Sequence, residues 1–130
     1  MADKATRRVR QPARKTLGAV LAGQGILNPG SARTRAYLKS HPDLAAILPA
    51  ACSEARKEFG EEAELTLDVY RDPEIDDHYL RLAVRLPSYD ETIMARIEQV
   101  LQPFEAELSN ASGYLLVTTD FRPTRAKHVV

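Results

Sequence analysis

Residues 65–86 read LTLDVYRDPEIDDHYLRLAVRL, and this stretch decides the fold. Leu65, Leu67 and Val69 alternate with Thr66, Asp68 and Tyr70. After the acidic loop Asp72-Pro73-Glu74-Ile75-Asp76-Asp77, Leu80, Leu82, Val84 and Leu86 alternate with Arg81, Ala83 and Arg85. Successive strand side chains point to opposite faces, so a period of two on both sides of a short polar loop predicts an antiparallel hairpin with its leucines inward.

Working outward, the helical period takes over on both sides. Upstream, Ala32 to Lys39 predicts a short helix, and Ser40-His41-Pro42-Asp43 fits a capping box. Leu44, Ile47, Leu48, Ala51, Cys52, Ala55 and Phe59 then follow at helical spacing, with Gly60 as the stop. Pro49 lies inside this run, where its ring clashes with the carbonyl of Ala45, so a kink or break is expected there. Downstream, Ser88 to Glu91 fits a second capping box, and Ile93, Ile97, Val100, Leu101, Phe104 and Leu108 share one helix face, bent at Pro103. Tyr114 to Phe121 is the last strand. The order is α-α-β-β-α-β. A crossover makes the second and third strands parallel, and the simplest sheet places the first strand between them, antiparallel to both. The expectation is an α+β two-layer sandwich: a three-stranded mixed sheet with helices on one face.

A chain of 130 residues fits one domain. Its zero net charge hides an asymmetry. Met1 to Lys39 holds nine Lys/Arg and one acid, whereas Ser40 to Phe121 holds six basic and seventeen acidic residues. The last nine residues add Arg122, Arg125 and Lys127. Residues 1–30 lack a sustained period, close on Asn28-Pro29-Gly30, and read as a flexible basic arm. Residues 31–123 read as the single α+β domain, and 124–130 as a short basic tail. Arg7, Arg8, Arg10, Arg14 and Lys15 are the arm's candidate phosphate contacts. The most apolar run, LGAVLAGQGIL from Leu17 to Leu27, is broken by glycine and far short of the roughly 20 residues a membrane helix needs. No small-residue cleavage site follows it. Cys52 is the one cysteine, so no internal disulfide can form, and a cytoplasmic setting is expected.

Chemistry-bearing motifs are scarce. The acidic loop, with His78 beside it, has no central glycine or terminal acid to make a calcium loop, and reads as a solvated turn. Cys52 sits on the apolar stripe of its helix and reads as a buried small hydrophobe. His41, His78 and His128 pair with nothing at metal-ligand spacing, and no phosphate loop or nucleophile elbow occurs. No catalytic, cofactor-binding or metal-binding residue is assigned. The outward face of the sheet holds more promise: Tyr70, Arg81, Arg85, Tyr114 and Leu116, accompanied by Thr66, Asp68, Thr118 and Asp120. Tyrosine and arginine are favoured anchors at protein interfaces. They also build stacking platforms for single-stranded nucleic acid.

Three stretches together carry a resemblance: Ala111-Ser112-Gly113-Tyr114-Leu115-Leu116-Val117-Thr118-Thr119-Asp120-Phe121-Arg122-Pro123, His41-Pro42-Asp43-Leu44, and the hairpin with Asp72-Pro73-Glu74-Ile75 at its tip. Over residues 35–123 they resemble a family of short, functionally uncharacterised bacterial proteins. The resemblance implies a genetic neighbour of the small helical HEPN type, and so a two-gene module, but no catalytic residues. The expected function is a non-enzymatic protein-interaction module, one half of a toxin–antitoxin-like pair, with a protein partner or self-association and no membrane. The alternative is a nucleic-acid-binding accessory protein using the basic arm and the Tyr/Arg face.

Overall fold

The computed structural model describes residues 16–74 and 77–124. In chain order these form α1 (Leu17–Gly23), β1 (Ile26–Leu27), α2 (Ser31–Ser40), α3 (Pro42–Phe59), β2 (Glu64–Asp72), β3 (Asp77–Arg85), α4 (Ile93–Leu101), a 3-10 turn (Gln102–Phe104), α5 (Glu105–Ser109) and β4 (Leu115–Thr118). The fold is α+β with a mixed four-stranded sheet in the order β1-β2-β3-β4. β2 and β3 are the antiparallel hairpin, with Leu67 opposite Leu82 and Asp68 opposite Arg81. β3 and β4 are parallel, as the crossover requires, but they are direct neighbours. The expected order therefore needs correction: the second hairpin strand is central, and the first pairs on its outer side with β1.

β1 lies within the stretch expected to belong to the arm, so the domain reaches back beyond Ser31. Leu21 and Ile26 are 2% and 5% exposed and join the core. α1 opens on Thr16, whose hydroxyl accepts the amide of Ala19. Gly25 takes φ +75°, and a side chain there would press on the Arg56 guanidinium. That guanidinium donates to the carbonyls of Gln24, Gly25, Gly60 and Ala63 at 3.2, 3.1, 2.9 and 2.7 Å. One cation on α3 thereby ties the turn before β1 to the turn before β2, and so sets β1 beside β2. At the other end Thr124, placed in the expected tail, is 2% exposed.

The inner face of the sheet carries Leu65, Leu67, Leu80, Leu82 and Val84, all fully buried. Leu44, Leu48, Ala51, Cys52, Ala55 and Phe59 of α3 and Ile93, Ile97 and Val100 of α4 pack against it in one cluster. α3 runs as one helix through Pro49, so the expected break is absent. Apolar contacts on both sides of Pro49 hold the helix together against one missing hydrogen bond. Pro103 does break its helix, opening the 3-10 turn between α4 and α5. Neither expected capping box forms. Ser40 ends α2 and His41 stands at the cap of α3, while Asp90 accepts the Thr92 amide and hydroxyl before α4. Arg96 joins the two long helices, donating to the carboxylate and carbonyl of Glu58 at 2.8 and 2.7 Å and lying over the Phe59 ring. Burial pushes the Cys52 thiol pKa up to about 12, which leaves it unreactive at neutral pH. No helix among the described residues is long and apolar enough to cross a membrane.

Leu82→Ala should cost about 2–5 kcal/mol in chemical denaturation, as other large-to-small core changes do. A neutral result would mean that the register is wrong. Removing residues 1–30 takes Leu21 and Ile26 out of the core, so the melting temperature should fall by several degrees or more. An unchanged melting curve would return α1 and β1 to the arm.

Candidate functional site

The hairpin register gathers the outward residues into one face. Tyr70 stands opposite Tyr79, Asp68 opposite Arg81, and Glu64 opposite Arg85, and Arg81 pairs onward with Leu116. Tyr70 and Tyr79 have ring centroids 5.3 Å apart, and Tyr79 meets Tyr114 edge-on at 5.7 Å. Three tyrosines thus form a row across β2, β3 and the start of β4, at spacings aromatic pairs favour. Tyr114 closes the row and is 56% exposed. The structure brings together all five expected residues, Tyr70, Arg81, Arg85, Tyr114 and Leu116. It adds Tyr79, which lies one residue before the leucine run and continues the outward alternation back from Arg81.

Both arginines of this face are engaged by carboxylates. Arg81 Nε and Nη2 donate to the two oxygens of Asp68 at 3.2 and 3.0 Å, and the guanidinium lies 4.8 Å from the Tyr70 ring centroid. Arg85 Nε and Nη2 donate to the two oxygens of Asp120 at 3.2 and 2.7 Å, with Glu64 3.8 Å from Nη1. The hydrogen bonds that Arg81 and Arg85 donate to Asp68 and Asp120 raise the pKa of both arginines, and the bond from Arg85 lowers that of Asp120. Planar two-point pairs of this kind use the arginine forks that a phosphate would need. The candidate phosphate contacts Arg7, Arg8, Arg10, Arg14 and Lys15 lie outside the described residues. In the acidic loop Asp72 and Asp77 accept amides of their own turns, from Glu74 and His78. Among the described residues no group of His, Cys, Asp and Glu could hold a metal ion.

Next to the tyrosine row lies a cluster that spacing alone conceals. Ser112 donates its amide to Asp43 Oδ2 at 2.8 Å and its hydroxyl to Asp43 Oδ1 at 2.9 Å. His41 Nδ1 is 2.9 Å from the same hydroxyl oxygen. The Tyr37 ring packs on His41 at 4.4 Å, and its hydroxyl accepts the amide of Tyr114 at 3.1 Å. Gly113 sits so close beneath them that a Cβ would come within 2.9 Å of His41 and 3.0 Å of the Tyr37 oxygen. Two of the stretches that carry the resemblance, His41-Pro42-Asp43-Leu44 and the one around Ser112-Gly113-Tyr114, therefore meet in space. They border a cleft of about 630 Å³ that also reaches His78.

Serine, histidine and aspartate together invite comparison with a hydrolytic triad, but the hydrogen bonds run the other way. A nucleophilic serine gives its proton to histidine, and the carboxylate orients that histidine from behind. Here the carboxylate can only accept, so the Ser112 proton points at Asp43 and His41 Nδ1 must donate to Ser112. Asp43 is also a poor base, because the Ser112 amide and then its hydroxyl hold its carboxyl below the ordinary value of 3.8. The cluster is a clamp: it ties the loop before β4 to the first turn of α3 and aims Tyr114 at the sheet face.

Ser112→Ala removes one of the two Ser112 donors, so the Asp43 pKa should rise part of the way back toward 3.8. A carboxyl NMR titration measures this. A carboxylate with a depressed folded-state pKa contributes stability above its unfolded pKa and loses it as pH falls through the folded value. The variant should therefore differ from the parent near neutrality and converge with it in acid. An unmoved Asp43 titration would show that the hydroxyl bond is not formed in solution.

Comparison of the chain with protein-family models, with curated proteins and with solved structures returned no match.

Proposed function

We propose that the chain is a non-enzymatic protein-interaction module, one half of a two-protein pair, whose partner docks on the tyrosine row. The observation that carries this reading is the pairing of both face arginines with carboxylates of the same face. With the cations satisfied internally, the exposed Tyr114 and its neighbours Tyr79, Tyr70 and Leu116 are the anchors left to offer. Tyrosines packed beside paired charges are what the centre of a protein interface uses. The polarity of the Ser112 clamp, which leaves no activated nucleophile, supports a non-enzymatic role. Phe121, past the opposite end of β4 from Tyr114, is also 56% exposed, packs on the Tyr89 ring and is held at φ 62°, an uncommon conformation for a bulky residue.

The test is capture of a partner by the full chain from an extract of its source cells, at ~0.15 M and ~1 M salt, where exposed charges are screened within a few ångströms. Binding should persist at high salt and be lost in Tyr79→Ala and in Tyr114→Ala, because its energy lies in buried aromatic anchors. Oligonucleotide binding that fades steeply with salt, and that either change abolishes, would overturn this reading in favour of a nucleic-acid accessory protein.

A further inference from the structure

We infer that the free edge of β4, with the groove beside it, accepts an extended basic segment of a partner protein as a fifth strand. Among the described residues β4 ends the sheet on this side. Leu80 pairs in register with Leu115 and donates its amide to the Tyr114 carbonyl at 2.9 Å. In a parallel ladder the groups of alternate residues face the same neighbour, so Leu116 turns its N–H and C=O to β3. Leu115 and Val117 then turn theirs outward. Among the described residues no inter-element backbone hydrogen bond reaches either one from that side.

The outward groups open onto space rather than onto a covering loop. A groove of about 1010 Å³ runs between β4 and the α4–α5 segment, and every residue from Gly113 to Val117 lines it. Side chains on one strand face alternate, so a lining by consecutive residues means that the strand presents its backbone edge. Natural edges are usually blunted by charge, proline or a bulge. β4 reads Leu-Leu-Val-Thr and carries neither charge nor proline.

The groove also selects its occupant. Its opposite wall carries the half-buried Leu101 and Leu108 beside the exposed Glu98 and Glu105, and no Lys, Arg or His lines it. A second copy paired here edge to edge would bring four such carboxylates together. A basic strand complements them: long aliphatic stems lie along Leu101 and Leu108 while the cationic heads reach Glu98 and Glu105. Its alternate residues fall on the side of Leu116 and Tyr114 and suit apolar side chains. The bound segment is thus extended, with basic and apolar residues in alternation, a form of strand addition to a sheet edge. This edge adjoins the tyrosine row at Tyr114 and Leu116 but offers backbone groups and carboxylates rather than the row's rings, and it stands whether or not that row binds a partner.

The test uses the full chain, isotopically labelled, with the nonapeptide Lys-Val-Lys-Val-Lys-Val-Lys-Val-Lys as probe. Two controls accompany it: the same peptide with Glu for Lys, and the Lys peptide N-methylated at every residue, which removes the donors facing β4 in either strand direction. Amide exchange of Leu115 and Val117 should slow by about tenfold or more with the Lys peptide. Neither control should slow it. Changing Glu98→Gln and Glu105→Gln together should weaken binding by roughly three- to tenfold, the effect of two partly exposed ion pairs. Equal binding of the Glu or N-methylated peptide would overturn the inference, as would protection that appears elsewhere or a double variant that binds as well as the parent. Concentration-dependent protection of Leu115 and Val117 without peptide would also overturn it, in favour of a second copy at this edge.

Discussion

The register that sets Leu67 opposite Leu82 and Asp68 opposite Arg81 is the constraint on which the rest of this molecule depends. A slip of one residue would turn either strand over, moving its leucines outward and its charges into the core. Asp68, Arg81 and Arg85 would then sit against α3 and α4 without their present partners, and an unpaired buried charge is strongly destabilising. The two faces of the hairpin thus enforce each other. Leucines on one side specify a single register, and ion pairs on the other form only in that register. The same alternation gives α3 a continuous apolar floor, which is why that helix persists through Pro49.

Everything on the outer face inherits this choice. Tyr70 meets Tyr79 because they are cross-strand partners, and Arg81 reaches both Asp68 and the Tyr70 ring from one position. The third tyrosine depends on a different device. Tyr114 precedes β4, and its place is set by Tyr37, His41 and Asp43 gripping the loop at Ser112 and Gly113. The clamp therefore couples the first turn of α3 to the outer face of the sheet. Because β4 starts one residue later, the same grip also fixes which of its backbone groups turn toward β3 and which turn away.

The hairpin, the stripe of α3, the burial of Cys52 and the composition of the outer face were legible in the sequence, because each is a local period. The missing parts lack one. β1 is two residues long, too short to show alternation, and its place is set by Arg56, thirty residues away in sequence, through four carbonyls. The position of β4 was open because a crossover fixes relative direction but not adjacency. His41 and Ser112 are 71 residues apart, and their meeting follows from how α3 and β4 lie against the sheet. Gly113 was the available signal: a glycine just before a strand marks either a turn or a close approach, and here it is the close approach of His41 and Tyr37.

The charge layout gains a different meaning once the fold is known. The excess of acid between Ser40 and Phe121 suggests a body that repels phosphate everywhere, yet the acids are not spread evenly. On the outer face, Asp68 and Asp120 are tied to Arg81 and Arg85, so that surface presents paired charge and aromatic area. On the α4–α5 wall, Glu98 and Glu105 face a groove with no cation in its lining. One surface therefore offers energy that depends on burial and is little changed by salt, and the other offers a field that salt weakens. Both border β4, whose side chains alternate between core and outer face while its backbone alternates between β3 and the groove. A four-residue strand joins two surfaces of opposite physical character because side chains and hydrogen-bonding groups leave a strand along perpendicular directions.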